Sequence, residues 1–213
     1  MRGRFVGILT GLSGLIILVA LFRFQHAQAY GDRFLVTSGL LLLFTPLLII
    51  LLAFRSEPEA FGFTIGESGR AARFTTILYV LLLLLLIPAS QMKVFQARYP
   101  IDKTAMESAQ AFLYFEATYG LYLFCTEFFF RGFLLFGLGR LLGWSAVFIQ
   151  AAAFAAMHYG NPSPEIAASF VAALVLGWIA LRARSFVPCF LLHWAVVVTF
   201  DAMVIGSAHF PGH

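Results

Sequence analysis

A glutamate and an arginine stand four residues apart in TEFFFRG, residues 126–132, inside a run that is otherwise apolar. On a helix Glu127 and Arg131 share a face and can neutralise one another. Further along, His158 closes AVFIQAAAFAAMH, and His193 and Asp201 punctuate PCFLLHWAVVVTFDAMV. Buried Glu, His and Asp are what a proton path uses, and two histidines with a carboxylate are also a known catalytic zinc set. Plainer readings compete. A charge at a helix centre costs about 2.5–3.5 kcal/mol even on the lenient insertion scale, and a structural ion pair keeps Glu127 and Arg131 inside a bundle without further purpose. His158 taken alone is a helix-end histidine satisfied by a carbonyl. His193 taken alone is a packing residue, and Asp201 can reach interfacial water.

The elements that carry these residues are apolar. Of the 213 residues 61% are hydrophobic and only 11% charged, with a mean hydropathy of +0.90, where a soluble domain is about 25% charged. The expectation is a single integral membrane domain over 1–213, an all-α, polytopic transmembrane helix bundle. Apolar runs fall at roughly 5–22, 34–54, 74–90, 109–138, 145–157, 166–181 and 186–205. A span needs about 20 apolar residues, so the fifth and sixth runs are short and the fourth is overlong. Seven to eight spans are expected, the eighth being a broken one. The first run resembles a signal peptide, but its length of about 18 residues exceeds the usual 7–15 and reads as an uncleaved helix. Residues 55–73 form the longest turn-like connection, and no internal repeat is visible.

The net charge of +4 sits mostly on arginines between apolar runs. With seven alternating spans, eight Lys and Arg fall on one face and five on the other, which favours a cytoplasmic N-terminus in a plasma or inner membrane. No basic stripe with interleaved aromatics points to nucleic acid. Cys125 and Cys189 lie within apolar runs and read as small hydrophobes.

Folding two helices about the LLGW turn at 141–144 places Glu127 sixteen residues before Gly143 and His158 fifteen after it. At 1.5 Å per residue both lie roughly 23 Å from the hairpin end. The alanines at 151–153 and 155–156 permit close approach of the two helices. His193 and Asp201, eight apart, stand about 80° from one another around their helix and can face one groove.

In the order and spacing of these residues the chain resembles the CAAX protease and bacteriocin-processing family, also called the Abi family, of multi-spanning intramembrane endopeptidases. Its EExxxR, FxxxH and HxxxN motifs are matched by Thr126-Glu127-FFF-Arg131, Phe154-AAM-His158 and His193-WAV-Val197. The resemblance covers residues 126–201 and gives a motif core at about 109–205, while an FGFTIG turn upstream adds a familiar flavour. Two positions depart from the pattern. Thr126 replaces the first glutamate, the one usually assigned to water activation, and Val197 replaces the asparagine.

The resemblance implies peptide hydrolysis near the membrane-associated terminus of a protein or peptide substrate. In that reading Glu127, sharing its carboxylate with His158, takes a proton from water, and His193 donates to the oxyanion. Arg131 holds Glu127, and Asp201 stands in as the polar partner of the third block. No cofactor is expected. The alternative is zinc on Glu127, His158 and His193, although H-E-x-x-H spacing is lacking. Two other classes stay open: a catalytically inactive member acting as a membrane partner, and a small proton-linked transporter, which inverted repeats would favour. Ser169, Ala173 and Gly177 recur every four residues as ordinary helix packing. Glu116 reads as interfacial, and PSPE at 162–165 as a helix start.

Overall fold

The structure, a computed structural model, describes residues 2–27, 30–66 and 68–209. No strand forms among the described residues, and the helices run α1 (Arg2–Ala27), α2 (Asp32–Ala53), α3 (Ser68–Ser90), α4 (Lys93–Arg98), α5 (Ala109–Leu142), α6 (Ser145–Ala156), α7 (Ser163–Ala183) and α8 (Val187–His209). Six are long and apolar enough to cross a membrane: α1, α2, α3, α5, α7 and α8. The run expected at 145–157 becomes α6, twelve residues long, so it lies as a short inserted helix beside its longer neighbours. The chain is thus a polytopic helical membrane protein.

At 34 residues α5 is the longest element, about 51 Å at helical rise. Its start is fixed by Ser108, whose Oγ accepts from the Ala111 amide at 3.1 Å, an N-cap. From Phe128 to Leu134 the helix widens to π geometry, and all seven residues there are buried. A helix buried on every face has to be apolar all round, which is what FFFRGFL supplies except at Arg131. Such π segments are frequent at functional sites.

Two packing features fix α5. Close crossing with α1 depends on glycine: a Cβ at Gly7 would lie 2.4 Å from Leu141 Cβ, and one at Gly137 would lie 2.3 Å from Thr10 Oγ1. On the other side, the FGFTIG turn folds in under the π segment. Phe61 is fully buried, Gly62 takes φ 76°, and Phe63 makes edge contacts with Phe124 and Phe128. The Gly62 carbonyl accepts from the Phe186 amide at 3.2 Å, tying this turn to the start of α8.

The short α6 packs on α7. Gln150 is fully buried and its Nε2 donates to the Ala173 carbonyl at 2.8 Å, with Gly177 directly beneath that amide. The small residues of α7 therefore do the packing work their spacing predicts. Both cysteines are free and buried.

Candidate active site

Glu127 ends the α-helical part of α5 and is completely buried. Its two oxygens face different partners. Oε2 lies 3.1 Å from Arg131 Nε, an ion pair lacking hydrogen-bond alignment. Oε1 accepts from His193 Nδ1 of α8 at 2.7 Å. The Arg131 guanidinium is also fully buried and stacks 4.1 Å over the Phe154 ring; desolvation makes such a cation–π contact worth about 2 kcal/mol.

His158 lies just past α6, in the turn at 157–160. Its Nδ1 sits 3.0 Å from the Phe154 carbonyl oxygen, and its Nε2 faces Glu165 Oε1 at 4.0 Å. Phe154 is the wall between the pieces. Its ring centroid is 4.7 Å from His158, 6.0 Å from His193 and 5.1 Å from Phe130. The hairpin brings His158 to the level of the site, but the histidine bonded to Glu127 is His193. The physical reason is that Phe154, one turn before His158, fills the space beside Arg131, and His158 turns back onto its carbonyl. His193 and His158 retain 20% and 21% side-chain exposure while Glu127 has none, so the imidazoles reach the surface of the bundle and the carboxylate does not.

Thr126 turns its hydroxyl onto the Tyr122 carbonyl at 2.9 Å, ordinary back-bonding within a helix. Val197 is half-buried one turn beyond His193. Asp201 is two turns beyond it, buried, and faces Glu116 on α5, which is also buried. The Asp201 and Glu116 carboxyls make no aligned hydrogen bond, and Trp194 Nε1 donates to the Glu116 carbonyl at 2.9 Å to join the two helices there. Glu127, Arg131, His193 and, across Phe154, His158 therefore form one cluster, with Asp201 and Glu116 a second. An open apolar groove of about 490 Å³, lined by Ala105, Met106, Phe112, Ala202 and Ile205, lies beyond the second cluster.

The spacing in the first cluster is that of a hydrogen bond. Ligand atoms 2.0–2.1 Å from a tetrahedral ion are roughly 3.3 Å apart, wider than the 2.7 Å between Glu127 and His193. Among the described residues no group of three His, Cys, Asp or Glu is placed to hold a metal ion.

Residues missed by sequence reasoning are Tyr99, Asn161 and Glu165. Glu165 Oε1 accepts from Tyr99 Oη at 2.7 Å and from Asn161 Nδ2 at 2.7 Å. The available signal was Asn161 and Glu165 four apart on either side of the turn that follows His158.

A fully buried carboxylate is thus bonded to a largely buried histidine where α5 and α8 meet within an apolar bundle. Residues 108–199 match the family model for Rce1-like proteins, described as type II CAAX prenyl endopeptidase. Over that segment, somewhat under half of the chain, it is similar to this family of endopeptidases. The match begins at the N-cap Ser108 and ends before Asp201. No curated protein and no solved structure matches the chain.

Proposed function

We propose that the chain is an intramembrane endopeptidase that hydrolyses a peptide bond near the membrane-associated end of a protein or peptide, with water activated by the Glu127–His193 pair. The observation that carries this is the 2.7 Å bond between Glu127 Oε1 and His193 Nδ1 inside the Rce1-like segment. A carboxylate only accepts, so His193 carries its proton on Nδ1 and presents Nε2 as the base. The water proton passes to Nε2 as oxygen attacks the scissile carbonyl, and the buried Glu127 charge stabilises the imidazolium that forms. Breaking the C–N bond then returns a proton to the leaving amine, from His193 or from His158 if His158 is charged. Arg131, 3.1 Å from Oε2, pairs with Glu127 and orients it. Compared with the roles the resemblance implies, the two histidines change places: His193 is on the carboxylate and His158 is free to act on the carbonyl or the leaving group.

The substrate class is a membrane-anchored tail of CAAX type, a bacteriocin-type leader or a sorting tail, each of which lipid brings to a half-buried site. A cytoplasmic N-terminus is part of this reading. A catalytically silent partner is the second reading, and Thr126 together with the full burial of Glu127 favours it. One experiment separates them. Membrane-protein termini are compared by proteomics in cells carrying wild type, Glu127→Gln or His193→Ala at matched abundance. New termini that vanish with either variant support proteolysis; identical termini in all three sink it.

A further inference from the structure

Outside the Glu127–His193 pair, the densest set of unexplained polar contacts surrounds Glu165 at the first turn of α7. His158 Nδ1 is bonded to a carbonyl, which only accepts, so Nδ1 holds a proton and Nε2 is the position that gains or loses one. The charged group nearest to Nε2 is Glu165, at 4.0 Å. That carboxylate is itself held in place. Oε1 takes hydrogen bonds from Tyr99 and Asn161, both 2.7 Å, and Asn161 Oδ1 accepts from Arg98 at 3.3 Å. Oε2 is buried without a hydrogen-bond partner, so the carboxylate keeps unused capacity as an acceptor. Burial pushes the Tyr99 phenol well above its usual value, and the neighbouring Glu165 charge adds to this. Tyr99 therefore stays a donor across any working pH.

Resting on the endopeptidase reading, we propose that Glu165 is a positioning residue for His158: its carboxylate faces Nε2, favours the protonated ring, and through Tyr99 and Asn161 couples that ring to the connection between α4 and α5. The other groups that face His158 are Arg131 on α5 and His193 on α8, both of which oppose a charge on it, and Glu127, which is taken up by those two. Burial is the largest influence on His158 and disfavours its charged form; the Phe154 carbonyl on Nδ1 and the Glu165 carboxylate facing Nε2 oppose it, and of these Glu165 acts on the nitrogen able to donate to an oxyanion or to a leaving amine. The connection that carries Tyr99 is braced independently, by Gln96 Nε2 on Ser207 Oγ at 3.0 Å and by Lys103 Nζ on the Tyr99 carbonyl at 2.9 Å. It fixes Tyr99 and through it Glu165.

The test reads His158 directly. Diethyl pyrocarbonate modifies only the neutral imidazole, so the pH at which modification of His158 is half-maximal, followed by peptide mass spectrometry on purified protein, reports its protonation. A nearby negative charge raises that midpoint, and removing the charge lowers it. Glu165→Gln is expected to lower the His158 midpoint by about one pH unit, with His193 in the same digest unmoved and Glu165→Asp within about 0.3 of wild type. In a cleavage assay Glu165→Gln is expected to lower kcat about tenfold with KM within twofold. A Glu165→Gln midpoint equal to that of wild type overturns the proposal. Should that variant not accumulate, Tyr99→Phe carries the test: it removes one of two donors competing for Oε1 and is expected to raise the midpoint by a few tenths, and no change or a fall counts against the proposal. A midpoint shift with no cleavage by wild type removes the endopeptidase reading and keeps the coupling. Cleavage with no midpoint shift does the reverse.

Discussion

Glu127 Oε1 and His193 Nδ1 meet at 2.7 Å although 66 positions separate them in the chain, because the π segment after Glu127 and the FGFTIG turn together seat α8 against the middle of α5. The bond fixes the tautomer of His193 and aims its Nε2 away from the carboxylate. Glu127→Gln keeps the shape and removes the charge that stabilises the imidazolium, so kcat is expected to fall by about 10³ to 10⁴, the loss that follows when a protease histidine is left with the wrong orienting partner. Activity within tenfold of wild type would show that Glu127 plays no part in the chemistry.

Arg131 has no solvent to fall back on. Arg131→Met alone leaves Glu127 with His193 only and is expected to cost about 3–5 kcal/mol of stability, as breaking a buried pair does. Combining Arg131→Met with Glu127→Gln removes both charges, so most of that loss is expected to return while activity does not. Thermal unfolding in detergent of the two single variants and the double variant measures this. Stability losses that simply add would mean the 3.1 Å pair is not coupled.

How far the sequence revealed this arrangement depends on which force set each part. Burial in lipid writes itself into composition, so the long helices of the bundle were legible from the apolar runs, while the run that became α6 came out too short to span. The hairpin level of Glu127 and His158 was legible because helical rise is a constant. The partner of Glu127 was not, since it depends on where α8 crosses α5, and that is decided by the turn at Phe61–Gly66 packing under the π segment. The π geometry itself leaves no trace in FFFRGFL that an α-helix would lack. Glu165 read as a helix start because acidic residues favour first turns, and its contacts with Tyr99 and His158 span loops that periodicity does not describe.

Asp201 stands two turns from His193, about 12 Å along the axis, and faces Glu116, so its support of the site is indirect, through the joint between α5 and α8. Asp201→Ala is expected to lower cleavage by less than tenfold and to lower thermal stability measurably. Val197 is one turn from His193 on the same face, and Val197→Asn is expected to raise turnover by adding a donor beside the reacting carbonyl. A hundredfold loss in Asp201→Ala at unchanged stability would instead put Asp201 among the reacting groups.

The last prediction concerns metal. A catalytic zinc would draw on Glu127, His158 and His193, yet Glu127 and His193 are closer together than two ligands of one ion, and His158 faces Phe154 and Glu165. Arg131, 3.1 Å from the same carboxylate, adds a positive charge where a cation would have to sit. Proton transfer through Glu127 and His193 needs no ion. Purified protein in detergent is therefore expected to keep cleaving after exhaustive chelation, with less than stoichiometric zinc by elemental analysis. One zinc per chain, removed together with activity and restored together with it, would mean that the cluster rearranges around a metal and that the water-activating pair described above is not the resting form of the site.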